Sequence, residues 1–372
     1  MINKKEHSAI RNKTIVNLGK GFLNKSLPSY LILFVNNICQ LRCDMCFYWD
    51  SMQVKTTQLD LNEIEKLSKS LPNLLQLTLT GGEPSLRKDL AEIPKIFAKH
   101  SNLSKCTVVT NGMLSERIRE QVYTFVTENP SVDFRISISM DGIGELHDKI
   151  RGVKGSFKNA EKTLGLLFKI RDEVPNLWID INTTISKYNY EEFENIHNYI
   201  IKNYSIDNHV CGFVRGNTKE DDAKEIPIEY YTKAKNLIAK TRKLRKHPLQ
   251  TLTSIVTDTV RDEVERELQT NANDFDCTAG SKFIEVYQDG NVSPCEILET
   301  ITDDGQHKMG NLRDFDYDMQ KLLKSDRAKE VIKFIKDSKC HCTFECPKYM
   351  DVLYNKKFYP KLLKNSIKRI IK

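Results

Sequence analysis

The chain has 372 residues, 40% of them hydrophobic, and a formal net charge of +7, so it is long enough for two domains and a sizeable core. Its longest apolar run, YLILFV at residues 30–35, falls far short of the roughly 20 residues that cross a bilayer, and no apolar stretch of secretory length follows the basic start MINKKEHSAIRNK. A cytoplasmic protein with no nucleic-acid partner is expected, and ten cysteines in such a chain point to metal or redox chemistry rather than disulfides.

Residues 1–28 read as a basic N-terminal arm. From 29 to 245, short β-branched runs alternate with longer amphipathic stretches, the pattern of repeated βα units. Six strands are expected: SYLILFV from Ser29, LQLTLT from Leu75, CTVVT from Cys106, DFRISISM from Asp133, LWIDINTT from Leu177 and HVCGFVR from His209. Helices lie between them. In DLNEIEKLSKSL, Asp60 can cap with Glu63 behind it while Leu61, Ile64, Leu67 and Leu71 share a face. SERIREQVYTFVTEN, SFKNAEKTLGLLFKIRDE and NYEEFENIHNYIIKNY carry the same spacing.

Six such units make a partial (β/α)6 TIM-like barrel, whose functional groups gather at the C-terminal ends of the strands. The unusual residues fall there. A cysteine loop follows the first strand, GGEP (Gly81, Gly82, Glu83, Pro84) the second and TNG (Thr110 to Gly112) the third; SMDG (Ser139 to Gly142) closes the fourth, Asn182 lies on the fifth, and Arg215 ends the sixth. Residues 246–274 read as a linker helix, 275–348 as a small C-terminal α+β module and 349–372 as a basic tail. Residues 352–372 hold seven basic residues and no acid, so KLLKNSIKRIIK is a candidate amphipathic helix for peripheral contact with anionic lipid, together with the basic N-terminus.

The cysteines form two groups. Cys39, Cys43 and Cys46 sit within eight positions, Cys277, Cys295, Cys340, Cys342 and Cys346 lie in the C-terminal module, and Cys106 and Cys211 stand alone. Four thiolates saturate a tetrahedral zinc or a cubane cluster, whereas three leave one metal position for a ligand that is not protein. A zinc site completed by a distant histidine, and buried unliganded cysteines, are the alternatives.

CxxxCxxC after the first strand and GGEP after the second resemble the radical S-adenosylmethionine (SAM) superfamily over about residues 29–220, and SMDGIGELHDKIRG resembles its branch with a C-terminal SPASM or twitch-type iron–sulfur domain. The resemblance implies a [4Fe–4S] cluster on Cys39, Cys43 and Cys46, with SAM chelating the fourth iron and yielding a 5′-deoxyadenosyl radical that abstracts hydrogen from the substrate. Within it, Gly81 and Gly82 let the backbone approach the methionine moiety, and Glu83 accepts from its ammonium or braces the loop. Met45 lies by the adenine. Asn111, Ser139 and Arg151 are candidates for the ribose hydroxyls and the carboxylate, Arg151 because a guanidinium grips a carboxylate through two bonds.

In the second group, Cys277 and Cys295 stand at the ends of an expected hairpin turning at QDGN. A zinc ribbon is the alternative, but beside the first domain the module resembles a twitch domain. The full SPASM pattern uses seven cysteines for two clusters; with five here, one auxiliary [4Fe–4S] cluster is expected on Cys277, Cys295, Cys342 and Cys346, with Cys340 an alternative ligand or a spare, acting as an electron relay. The expected substrate is small or carrier-linked, a sugar, cyclitol or lipid-linked saccharide that is oxidised or epimerised, because the 28 residues before the first strand leave no room for a peptide-recognition domain. A maturase of a ribosomal peptide is the alternative, and a non-catalytic iron–sulfur or zinc scaffold the second. Flavodoxin or ferredoxin is the expected reductant. Cys211 is considered as a hydrogen-atom donor, although its depth on the sixth strand favours packing.

Overall fold

The β-branched runs form six strands, β1 (Tyr30–Phe34), β2 (Gln76–Thr80), β3 (Lys105–Thr110), β4 (Asp133–Ser139), β5 (Leu177–Ile185) and β6 (Asn208–Phe213), each parallel to the one before. The computed structural model describes residues 4–24, 26–242, 250–273, 275–301 and 307–371. β1 is buried along its whole length, as expected of a parallel strand covered on both faces. The crossovers run through α2 (Leu61–Ser70), α3 (Glu92–His100), α4 (Ser115–Glu128), α5 (Glu145–Arg151), α6 (Ser156–Glu173) and α7 (Phe193–Asn203), after an opening helix α1 (Lys4–Leu23).

The capping box expected at α2 is present. Asp60 Oδ1 accepts from the Glu63 backbone at 2.8 Å and Glu63 Oε2 accepts from the Asp60 backbone at 2.8 Å, and Ile64 and Leu67 are buried behind it. Glu63 also reaches the C-terminal module through Arg313 Nε at 2.8 Å and Tyr317 Oη at 2.5 Å. Burial raises its pKa, but these bonds outweigh that and hold the carboxyl down at about 2.

The segment expected as a basic arm contains α1, which closes the N-terminal mouth of the barrel. Asn17 is fully buried, and its Nδ2 donates to Leu74 O at 3.1 Å, Asn102 O at 2.8 Å and Ser104 Oγ at 2.8 Å, all in the turns that lead into β2 and β3.

After α8 (Glu229–Thr241) and α9 (Gln250–Thr270) comes β7 (Phe283–Val286), which pairs in parallel with β1, followed by antiparallel β8 (Asn291–Ser293) and β9 (Gly310–Asn311). The expected hairpin forms, with Gly290 at φ +86° in its turn. Instead of standing apart, the module extends the barrel into one nine-stranded sheet in the order β6-β5-β4-β3-β2-β1-β7-β8-β9. It continues through α10 (Glu296–Ile301), α11 (Met319–Lys324), α12 (Asp326–Asp337), α13 (Glu345–Tyr354) and α14 (Tyr359–Ile371). The expected boundary at 245/246 lies outside the described residues. α14 docks on α9 through Lys361 to Glu263 at 2.5 Å and Asn365 to Thr259 at 3.0 Å. Among the described residues no helix is long and apolar enough to cross a membrane.

Candidate functional site: a cysteine loop at the end of the barrel cavity

The cysteine loop leaves β1 and is held against the GGEP loop backbone to backbone. Gly82 N donates to Asn36 O at 3.0 Å and Glu83 N to Ile38 O at 2.7 Å, while Asn36 Nδ2 returns a bond to Glu83 O at 2.8 Å. A Cβ on Gly81, at φ +147°, would land on the Asn36 carbonyl, and one on Gly82 on the Ile38 carbonyl. The glycines are needed for this approach of two loops.

Glu83 is 1% exposed. Its carboxylate accepts from Ser85 N at 3.0 Å, Thr110 Oγ1 at 2.5 Å and Asn111 N at 2.8 Å. Of the two roles expected for it, these contacts are those of a brace. Burial raises its pKa against these bonds. Pro84 starts a single 3-10 turn, Pro84–Leu86.

Polar groups surround the sulfurs. Cys39 Sγ receives Leu41 N at 3.4 Å and Asn111 Nδ2 at 3.7 Å, and Cys43 Sγ receives Arg151 Nη1 at 3.8 Å. Arg151 is fixed by its Nη2 lying 2.5 Å from Asp141 Oδ2, and Asp141, fully buried, also accepts from Thr184 N at 2.8 Å. Sequence reasoning missed Asp141; an acid ten positions before Arg151 in the same motif was the available signal. Burial pushes the Cys39 thiol up to about 11 and Cys46 to about 12, with Arg151 opposing. Thiolates form there only when a cation draws them out.

Cys43, Met45, Cys46, Ser139 and Arg151 line one end of a cavity of about 970 Å³ that runs down the barrel. Met45 is buried against Ile150 and Val214. Asn111 sits off the cavity, beside Cys39. Cys43 and Cys46 at the cavity end, with Cys39 interacting electrostatically with both of them, are three soft donors next to a fixed guanidinium, a set that suits an iron–sulfur cubane with one open iron.

Glu296, Phe344 and Cys346 of the C-terminal module also line the cavity. The thiols of Cys277, Cys295, Cys340 and Cys342 interact electrostatically with one another, whereas Cys346 alone of the five lines the cavity and accepts from Tyr30 Oη at 3.4 Å. Arg215 lies past the end of β6, its Nε 2.6 Å from Glu296 Oε1 and its guanidinium 4.3 Å from the Phe344 ring centroid. Cys211 and Arg215 both line the cavity, and with Phe213 Cys211 also packs in the core against Tyr231, Ala234, Ile238 and Val264 of α8 and α9.

The barrel thus carries three cysteines after its first strand and a second thiol group beside it. Residues 33–200 match the Radical SAM superfamily and 277–347 match SPASM, an iron–sulfur cluster-binding domain. The chain thus carries a radical SAM domain followed by a C-terminal SPASM domain, which together imply a SAM-binding [4Fe–4S] cluster, an auxiliary cluster and SAM. It is 30% identical over 138 residues to a GTP 3',8-cyclase of Pasteurella multocida (strain Pm70), covering 35% of this chain and 41% of that protein. It is 28% identical over 180 residues to the sporulation killing factor maturation protein SkfB of Bacillus subtilis (strain 168), covering 47% and 40%. The matches therefore span about two fifths of these curated relatives. In fold it resembles native anSMEcpe with bound AdoMet and Cp18Cys peptide, at TM-score 0.56 and 20% identity over 92% of this chain and 99% of that one.

Proposed function

We propose that this radical SAM enzyme modifies a peptide. The observation that carries it is the edge of β6: residues 208–213 all line the cavity, and β6 ends the sheet with no further strand paired to it among the described residues. An extended peptide can add its backbone to such an edge and lie beside the cysteine loop. SkfB supports a peptide over the sugar or cyclitol first expected. The anSMEcpe likeness weakens the objection from space, since a chain matching 92% of this one over 99% of its own length holds a peptide.

Cys39, Cys43 and Cys46 hold the cluster, with Asn111 and Arg151 donating to the sulfurs of Cys39 and Cys43 and Glu83 bracing the loop. Met45, Ser139 and Arg151 face the SAM side of the cavity. When bound, cluster and SAM supply one-electron cleavage and hydrogen-atom abstraction. Water is excluded at that end by Met45, Ile150 and Val214. Four of the five C-terminal cysteines would hold the auxiliary cluster, which would supply an electron acceptor for net oxidation, with flavodoxin or ferredoxin as reductant. The test is anaerobic incubation of reduced, iron-loaded enzyme with SAM and the short peptides encoded beside its gene. A mass change in a peptide matched by 5′-deoxyadenosine is expected; turnover of sugars or cyclitols with no peptide altered would contradict it.

A further inference from the structure

Arg261, on α9, is 3% exposed and lines the cavity beside β6. Its Nε and Nη1 have no hydrogen-bond partner among the described residues. The carboxylate paired with it, Glu345, lies 3.9 Å from Nε, beyond hydrogen-bonding reach, and accepts instead from Tyr231 Oη at 3.3 Å. Other arginines of the same wall are served differently: Arg242 has Asp258 at 2.8 Å and Arg215 has Glu296 at 2.6 Å. A buried guanidinium with idle donors is costly unless an acceptor arrives.

We propose that Arg261 recognises an anionic group of the substrate, a carboxylate or a phosphate, through the paired donors of its guanidinium. Arg261 interacts with Cys211, in the middle of β6. An anion there anchors the substrate partway down the cavity and leaves the cysteine-loop end to the carbon that reacts. A peptide laid along β6 passes this point, so on the peptide reading, on which this part rests, the anion is the carboxylate of an acidic residue or of the C-terminus.

Calorimetry on the iron-loaded full chain at fixed ionic strength tests this, with glutarate and inorganic phosphate as probes. Saturable binding of at least one probe is expected, weakened at least about tenfold in Arg261→Gln, less in Arg261→Lys, and strengthened in Glu345→Gln, which removes the competing charge. Preference for glutarate identifies a carboxylate-bearing substrate. Preference for phosphate keeps the anion site but counts against a peptide, so the two ideas fail separately. Absence of saturable binding for both probes overturns the proposal, as does wild-type affinity in Arg261→Gln. Should Arg261→Gln not fold, unchanged affinity in Glu345→Gln overturns it.

Discussion

At the scale of single residues, packing decides which groups near the sulfurs touch protein and which face the cavity. Gly82 lies against the Ile38 carbonyl, so Gly82→Ala must push the cysteine loop outward. The expected outcome is loss of iron from the first site alone, from about eight irons per chain to about four, read by iron analysis after anaerobic reconstitution; retention of all eight would show that the loop yields. Three buried histidines give a pH dependence, and His209 is pulled well down by burial. Burial pulls His147 down to about 3 and His197 to about 4, while unfolded histidine titrates near ~6.5. Below that pH the unfolded chain binds protons that the folded one refuses. Their contribution is therefore fully present above about pH 6.5 and is lost as pH falls towards 4. The urea midpoint should be lower at pH 5 than at pH 7.5, and the difference smaller in His147→Gln. Motif spelling placed Cys39, Cys43 and Cys46 together in one loop, because their spacing is local. It did not show that Gly81 and Gly82 meet protein backbone or that Arg151 hangs on Asp141, because those contacts join separate loops.

At the scale of elements, the strands and the α2 cap were legible because hydrophobic period and capping chemistry are written within a few residues. Helix α1 was not: several of its inward residues, Thr14 and Asn17 among them, are polar, so KKEHSAIRNKTIVNLGKGFL reads as a charged arm. The α2 cap has a second task, since Glu63 also holds Arg313 and Tyr317. Asp60→Ala should cost about 1 kcal/mol, the usual worth of a cap, and Glu63→Ala more, because it leaves Arg313 without its carboxylate. Denaturant unfolding checks the order of the two; equal losses would mean that the cross-link to Arg313 contributes nothing.

At the scale of the whole molecule, parallel pairing of β7 with β1 makes the barrel and the SPASM domain one sheet. No local pattern announces that: the hairpin at QDGN is readable, but the strand it joins lies some 250 positions earlier in the chain. Truncation after residue 242 should therefore leave β1 an exposed apolar edge and give aggregated protein, whereas a soluble, folded fragment would mark the barrel as independent. The central claim is that the cysteine loop holds a SAM-cleaving cluster at the end of this cavity, and quantifying 5′-deoxyadenosine from reduced, iron-loaded protein with SAM tests it most directly. The wild type should form 5′-deoxyadenosine and Cys43→Ala none, while keeping the auxiliary irons. A fully iron-loaded wild type that forms none, or a Cys43→Ala variant that forms as much as the wild type, would contradict it.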